Sequence, residues 1–589
     1  MFLILVVVLS TVVAPTFARA QTTTTGVTFV LGTTFPLGLN PLTQYCYGLF
    51  HGAIYSQLFY QNNTLQPQPW LALSYSQTNA TTWVVHLRHN ATWQDGLPVT
   101  SQDVKFTINT VLVAGGAMAR FVQGISNVQT PDNYTVVVTT SQPTLWAGWL
   151  TGLDILPEHY WVAHGAVGAA ALNFTNNPPI GSGPFQLVNW VPGEYMQFKA
   201  NDNFFMGRPK IDTLIIRQYA TAEDLLAALK TGEVDADGYI PNSDVPGVQG
   251  MANLTILWTP EPIVQDIYIN VNNNHSQGNP TLLDKNVRLA LSYAINRTYL
   301  NDELYQGHWQ NAVSFIPPMF GPYFCTECQS MVPQFNLTKA NQILDQAGYK
   351  RGSDGIRVSP SGVRLSYRFY IYNGYPEMVR GAQFIRQWWN QIGVDVTYQA
   401  MEGGSLWTII SSPPFNWDLA LWDWEVNDAP SQIYSYTTPA IAAGYSSSGL
   451  SDPAFDAMYQ TITTTTNQTL AISTIHQVQM YMIQNAVEIP TFYETQAAGY
   501  YSNKWTGIQD SPTGALDPGG LNALMYLYLQ PVSASTTSGT APATTNSTAA
   551  APPPTSSGWT IPLAVVVIIV LLAAAIYMRR KRSPESVKK

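Results

Sequence analysis

Residues 179–237, PIGSGPFQLVNWVPGEYMQFKANDNFFMGRPKIDTLIIRQYATAEDLLAALKTGEVDAD, constrain the fold more than any other stretch of this chain. They open on a turn, Gly181-Ser182-Gly183-Pro184, whose glycines offer backbone angles closed to other residues. Two runs of partial strand-like alternation, 185–190 and 195–199, are separated by a second turn, Val191-Pro192-Gly193-Glu194. A third run, 213–219, leads into a helix over 221–231 with Ala222, Leu225, Leu226 and Leu229 on one stripe, stopped by Gly232. Strand turning into helix within one short segment predicts a mixed α/β fold.

The rest of the chain repeats that alternation. At 589 residues it exceeds a single core, which predicts two or more domains. A first strand is expected at 28–33, a helix at 45–59 and a strand at 82–88. Within 90–106, Asp95-Gly96 makes a turn and Thr100 or Ser101 caps a helix carrying Asp103 and Val104. Residues 262–271 read as a strand. Residues 284–300 read as one amphipathic helix with Val287, Leu291 and Ala294 on one side. Helices at 337–347 and 376–392, the latter opening on Pro376, alternate with strands at 364–372 and 394–398. A last strand is expected at 488–493. This is the βαβ pattern of an α/β domain.

Several motifs together resemble the large extracytoplasmic solute-binding proteins of peptide-type ABC importers, family 5. Gly181-Ser182-Gly183-Pro184-Phe185, Trp190, Asn201-Asp202-Asn203-Phe204 and Gly232-Glu233-Val234-Asp235 stand in the family's order. The run NATWQDGLPVTSQDVKF at 90–106 resembles a second family signature, and VRLALSYAINR within 284–300 a third, with Asn296 where the family has Asp. The resemblance implies a two-lobed periplasmic-binding-protein-like fold of the large peptide-binder class. Lobe I would be 21–261 with a return at 490–530, and lobe II would be 262–489. It also implies a ligand held between the lobes, separate permease and ATPase chains as partners, and no cofactor or metal.

The same resemblance names candidate ligand-binding residues. FNWDLALWDWEVNDAP at 415–430 is similar to the family's strand and loop around a cleft tryptophan. In a strand Trp422 and Trp424 share one face and Asp423 and Glu425 the other; core packing of the tryptophans is the alternative. In peptide-binding relatives an Asp following this Trp accepts the ligand's α-ammonium. Glu425 stands at that position and Asp428 lies three residues on. Arg380 matches the place of an arginine for the ligand carboxylate, or is a plain surface charge on its helix. Tyr45 completes the list. Peptide and oligosaccharide binders share this fold, and the sequence does not separate them. The chain lacks Gly-x-Ser-x-Gly, His-Glu-x-x-His and Walker A motifs. A glycosidase using Asp423 and Glu425, or a structural or adhesive surface-layer protein, remain the alternatives to a receptor.

The two ends set the location. Residues 1–20 read as a secretory signal, with an apolar run at 2–13 before Ala18-Arg19-Ala20; an uncleaved anchor is the alternative. Residues 559–578 carry no charge and are followed by Arg579-Arg580-Lys581-Arg582, which predicts a single transmembrane helix with a cytoplasmic tail at 579–589. Between body and membrane, 531–558 holds 7 Thr, 6 Ser, 6 Ala and 5 Pro in 28 residues and reads as an extended stalk. This layout is similar to archaeal, surface-anchored members of the family. Eleven Asn-x-Ser/Thr sequons fit a glycosylated exterior. Of three cysteines, Cys325 and Cys328 form a C-x-x-C. A local disulfide, half of a zinc site or a redox motif all fit it, whereas Cys46 reads as buried and inert.

Charge is scarce: 27 Lys and Arg and 36 Asp and Glu make 11% of the chain, against about 25% in ordinary soluble domains. Once carboxylates are neutralised in acid, few bases remain to repel one another, so the composition points to an acidic exterior. The exported body is therefore expected to keep its melting temperature below about pH 4, where carboxylates with ordinary values are protonated. Unfolding there in a thermal series from about pH 2 to 8 would contradict the acid reading.

Overall fold

A computed structural model describes residues 26–532, except 35–36, 44–50, 63–65, 117, 146, 274–275, 412, 427–428 and 509–522. The expected signal, the membrane-spanning segment and tail, the stalk beyond Val532, Tyr45, Cys46 and Asp428 lie outside the described residues. Among the described residues no helix is long and apolar enough to cross a membrane.

One sheet of 11 strands forms the spine. Its order is Asp395–Met401, Ser366–Tyr372, Leu419–Glu425, Leu254–Ile269, Glu488–Tyr501, Ala236–Ile240, Thr28–Thr33, Thr213–Gln218, Tyr195–Ala200 and Phe185–Val191, with Gln310–Asn311 also pairing Glu488–Tyr501. The central pair, Leu254–Ile269 and Glu488–Tyr501, is antiparallel and far longer than the expected 262–271 and 488–493. On one side of it lies a core that gathers Phe29, Leu31, Phe185, Phe198, Leu214 and Ile216 with Tyr526 and Leu529. On the other, a second core runs from Val264 to Tyr493. A four-stranded antiparallel sheet, Ala72–Asn79, Thr82–Leu87, Thr135–Thr140 and Ile125–Asp132, joins the first core beneath helix Ser101–Ala114.

Local chemistry fixes these elements. Thr221 accepts from Asp224 N at 3.1 Å to start helix Ala222–Thr231, and Gly232 ends it at φ 72°. That helix buries Leu225, Leu226, Ala228 and Leu229. Gly32 lets Leu225 approach the sheet, since a Cβ there would stand 2.1 Å from Leu225 Cδ1. The Gly181–Gly183 turn has a different cause from the one expected. Neither glycine has a positive φ; both are needed because a Cβ would fall 1.8 Å from Ile54 O at Gly181 and 2.5 Å from Ala53 O at Gly183. The close approach admits a Gly183 N–H donation to Ile54 O at 2.7 Å.

Two helices depart from expectation. The segment expected as a helix over 45–59 is helical only at His51–Ile54 in its described part, and Phe59–Gln61 pairs as a strand with Pro67–Pro69. The single helix expected at 284–300 is two, Lys285–Tyr293 and Arg297–Tyr305. The break is chemical: Asn296 leaves the helix and its Oδ1 accepts from Tyr299 N at 3.0 Å, capping a new start. Arg297 can then turn inward, donating to Pro490 O at 2.9 Å and Pro333 O at 3.2 Å.

Replacing Asn296 by Ala should remove about 1 kcal/mol of stability through loss of the cap. Asn296→Asp should restore most of it. Equal denaturant midpoints for Asn296→Ala and the parent would return residue 296 to a passive role.

Candidate ligand-binding site

The strand Leu419–Glu425 lies against Leu254–Ile269 in antiparallel register, Trp424 opposite Val264, Asp423 opposite Gln265 and Trp422 opposite Asp266. Side chains alternate, so Asp423 and Glu425 project from one face and the two tryptophans from the other. On its far edge Leu254–Ile269 pairs Glu488–Tyr501, with Gln265 opposite Phe492. Asp423 and Phe492 thus flank Gln265 on one face, and Glu494 follows two residues beyond Phe492. The ladder slips between Pro260 and Val264, which pair Thr495 and Tyr493. Glu261, Pro262 and Ile263 therefore bulge opposite Glu494.

A carboxylate cluster results. Burial pushes Asp423 up to about 6, partly opposed by its own backbone amide and the Tyr375 hydroxyl. Glu494 is raised well above the usual range by burial, then by the charges of Asp423 and Glu377. Glu377 and Tyr375 arrive from the start of helix Pro376–Gln391. The Glu494 charge, then burial, raises Tyr375. From the other core comes Tyr239, raised by burial and then by Glu494, Glu377, Asp423 and Glu261. Glu494 is only 6% exposed and its Oε1 has no hydrogen-bond partner.

The opposite face is aromatic. Trp422 packs 5.0 Å from Tyr372 and 6.3 Å from Trp407. Trp424 lies 5.2 Å from Trp407 and 5.8 Å from Tyr445. Trp407 is held by helix Gly403–Ile410, which Glu402 caps at Gly404 N (2.7 Å) and Ser405 N (3.0 Å). Both tryptophans are half-buried. Trp422 also touches the small core of Tyr268, Leu406, Ile410 and Phe415. Tyr372 joins the two faces, its ring 5.7 Å from Tyr375.

Contacts between the two cores close around this region. Trp258 stacks on His308 at 3.6 Å, and Gln306 Nε2 donates to Asn242 O at 2.9 Å. Within the first half, Gln496 Nε2 donates to Gly238 O on the neighbouring strand.

Of the sequence candidates, the strand brings Trp422, Trp424 and Glu425 to this region, with Glu425 half-buried. Arg380 is not gathered with them: it is exposed, 3.4 Å from Glu303 Oε2, with its guanidinium over the Phe384 ring. Cys325 and Cys328 form a disulfide with both residues buried, which takes up the thiols a zinc site would need. Glu494, Glu377, Tyr375 and Tyr239 were missed. The available signal was a lone Glu inside the apolar strand around FYETQ, in a chain where charge is rare.

The chain matches the model of the bacterial extracellular solute-binding proteins, family 5 middle region, over residues 66–444. It is 27% identical over 372 residues to the oligopeptide-binding protein AppA of Bacillus subtilis, covering 61% of this chain and 66%, just under two thirds, of that protein. The fold is similar to the solved structure of Bacillus subtilis AppA in complex with a nonapeptide, with TM-score 0.64 and 21% identity over 86% of this chain and 99% of that one. It is also similar to a mannohexaose-bound periplasmic oligopeptide-binding protein of Thermotoga maritima, with TM-score 0.66 and 20% identity over 86% and 99% of the two chains. These likenesses establish the two-sided α/β architecture of periplasmic binding proteins.

The carboxylate cluster carries a pH signature. A carboxyl that ionises near 4 when unfolded and at about 6 in the fold keeps a proton that the unfolded chain has lost. Its contribution is most favourable below about pH 4 and declines as pH rises through about 6. Asp423→Asn should therefore raise the melting temperature of the ligand-free protein more at about pH 7.5 than at pH 4. An equal shift at both values would show that Asp423 titrates normally.

Proposed function

The chain belongs to family 5 of the bacterial extracellular solute-binding proteins, and we propose that it is the ligand-capturing receptor of an ABC importer. In this reading residues 21–261 with 490–530 form one lobe and 262–489 the other. They close on a small oligomer, and the loaded receptor meets a permease and ATPases carried on separate chains. The signal at 1–20, the stalk at 531–558, the helix at 559–578 and the basic tail would hold the binding body outside an archaeal cell in an acidic medium. No reaction is assigned, and Asp423 and Glu425 serve binding rather than hydrolysis.

The observation that carries the reading is the pair of half-buried Asp423 and buried Glu494, carboxylates with no basic partner among the described residues, facing a tyrosine from the other core. An unpaired buried charge is unfavourable by several kcal/mol, and a ligand ammonium removes that penalty. An oligopeptide with a free amino terminus fits this chemistry. Glu425 belongs to the same strand face as Asp423, and Asp428 and Tyr45 are proposed for the ligand shell. The second reading, an oligosaccharide, draws on the aromatic face of Trp407, Trp422, Trp424 and Tyr445, since sugars stack on such rings.

Calorimetry with one short peptide, free and amino-acetylated, separates the two. The free form should bind more tightly, and Trp422→Ala should weaken both by more than about 1 kcal/mol with the fold intact. Equal affinity of the two forms would favour the sugar, and an unchanged affinity in Trp422→Ala would return that ring to core packing.

A further inference from the structure

We propose that the loop carrying Cys325 and Cys328 is, in its reduced form, a site for one zinc ion, with His476 and Glu327 as the other two ligands. Disulfide and zinc are then alternative fastenings of that loop to helix Gln468–Asn485.

A C-x-x-C supplies two thiolates at a spacing that grips zinc, and a closed tetrahedral site needs two more donors. The sequence places no histidine close to the pair. The fold brings His476 there from helix Gln468–Asn485, and Glu327 stands inside the C-x-x-C itself, on the short helix Thr326–Met331. Cys325 Sγ, a Glu327 oxygen and a His476 ring nitrogen lie within 4.8 Å of one another. Cys328 Sγ is bonded to Cys325 Sγ in the oxidised protein. With bonds of about 2.0–2.3 Å, donors on a tetrahedral zinc stand about 3.3–3.8 Å apart, so a small inward movement closes the shell.

The histidine is already oriented for this. Pro322 O can only accept, so its contact with Nε2 at 2.9 Å puts the ring proton on Nε2. Nδ1 then faces Glu327 Oε1 at 3.0 Å, and a carboxylate also only accepts. A cation reconciles the two: a second ring proton in the oxidised protein, or a metal ion held by both. Metal-bound histidines commonly donate their other nitrogen to a backbone carbonyl, which fixes the tautomer and the ring plane.

The frame does not depend on the disulfide. Gln479, on the same helix and fully buried, accepts from Cys325 N at 3.1 Å and donates to Tyr323 O at 2.7 Å. Cys328 N donates to Cys325 O at 3.2 Å, closing the turn. Loop and helix are thus held together when the sulfurs part. Both cysteines pack against Met331, Met480 and Ile483, while His476 and Glu327 are partly exposed and give a metal its entry.

The exchange balances. An external dithiol delivers two electrons and two protons to the disulfide and leaves as its own cyclic disulfide. Each protein thiol then gives its proton to solvent as its sulfur binds the ion. The reverse exchange expels the ion and restores the S–S bond.

The test uses the full-length Cys46→Ser protein in detergent, reduced by a dithiol and freed of it without air, with Co2+ as probe and Zn2+ as competitor. One Co2+ per chain should bind, with thiolate-to-cobalt charge-transfer absorption and the strong visible bands of a tetrahedral ion, and Zn2+ should abolish both. The oxidised protein should show neither. Cys328→Ser should remove about half of the charge-transfer intensity, one thiolate of two. His476→Ala should weaken cobalt binding at least about tenfold, the scale set by losing even an outer-shell partner; if that variant fails to fold, His476→Gln replaces it. A reduced parent without the charge-transfer band overturns the inference, as does undiminished cobalt affinity in the His476 variant. So does unfolding on reduction, followed by circular dichroism, because the frame would then need the disulfide.

Discussion

The antiparallel ladder between Leu254–Ile269 and Glu488–Tyr501 is the constraint on which the rest of the molecule depends. Its hydrogen bonds run from Leu254 opposite Tyr501 to Tyr268 opposite Glu488, so the same two strands serve both cores. A ladder of this kind resists shear and stretching but accommodates twist. The break in register between Pro260 and Val264 is the place where twist concentrates, because Pro262 has no N–H to give and three residues face one. The acidic cluster sits at that break.

Buried charge is handled in two opposite ways. Arg288 is satisfied entirely by carbonyl oxygens, of Asn485 and Ala486 at 3.0 Å and of Leu282 at 2.7 Å. Such a guanidinium ties loop ends together and needs no carboxylate. Buried Asp418 has its base, Arg368 Nε at 2.9 Å, but Asp237, Asp266 and Glu488, also buried, form no ion pair among the described residues. Asp266 has neither oxygen paired, and burial, then Glu488, raises it strongly. Burial carries Glu488 up to about 8 and Asp237 up to about 7. Groups of this kind hold protons where the unfolded chain does not, so the folded state gains as the medium becomes acidic.

Much of the fold was legible because local chemistry and tertiary packing agree. Thr221, the leucine stripe and Gly232 mark a helix on their own, and Thr28–Thr33 emerges with the expected ends. Legibility fails where a residue has two uses. Asn296 fits an amphipathic helix by its neighbours' period, and only the capping bond reveals the break. Gly181 and Gly183 announce a turn, yet what requires them is a contact with residues about 130 positions away in sequence. The site was half readable. Period two separates Trp422 from Asp423, but it cannot say that a bulge in a neighbouring strand will set Glu494 beside them, since register is a property of pairs of strands.

Three of the sequon asparagines, Asn296, Asn336 and Asn467, are also helix caps. Their Oδ1 atoms accept from Tyr299 N, Lys339 N and Leu470 N at 3.0, 2.8 and 3.1 Å. N-linked sugar is attached at the amide nitrogen and leaves that oxygen's lone pairs in place. One side chain can thus start a helix with its oxygen and bear a carbohydrate on its nitrogen, so decorating these positions would not unmake the helices they begin.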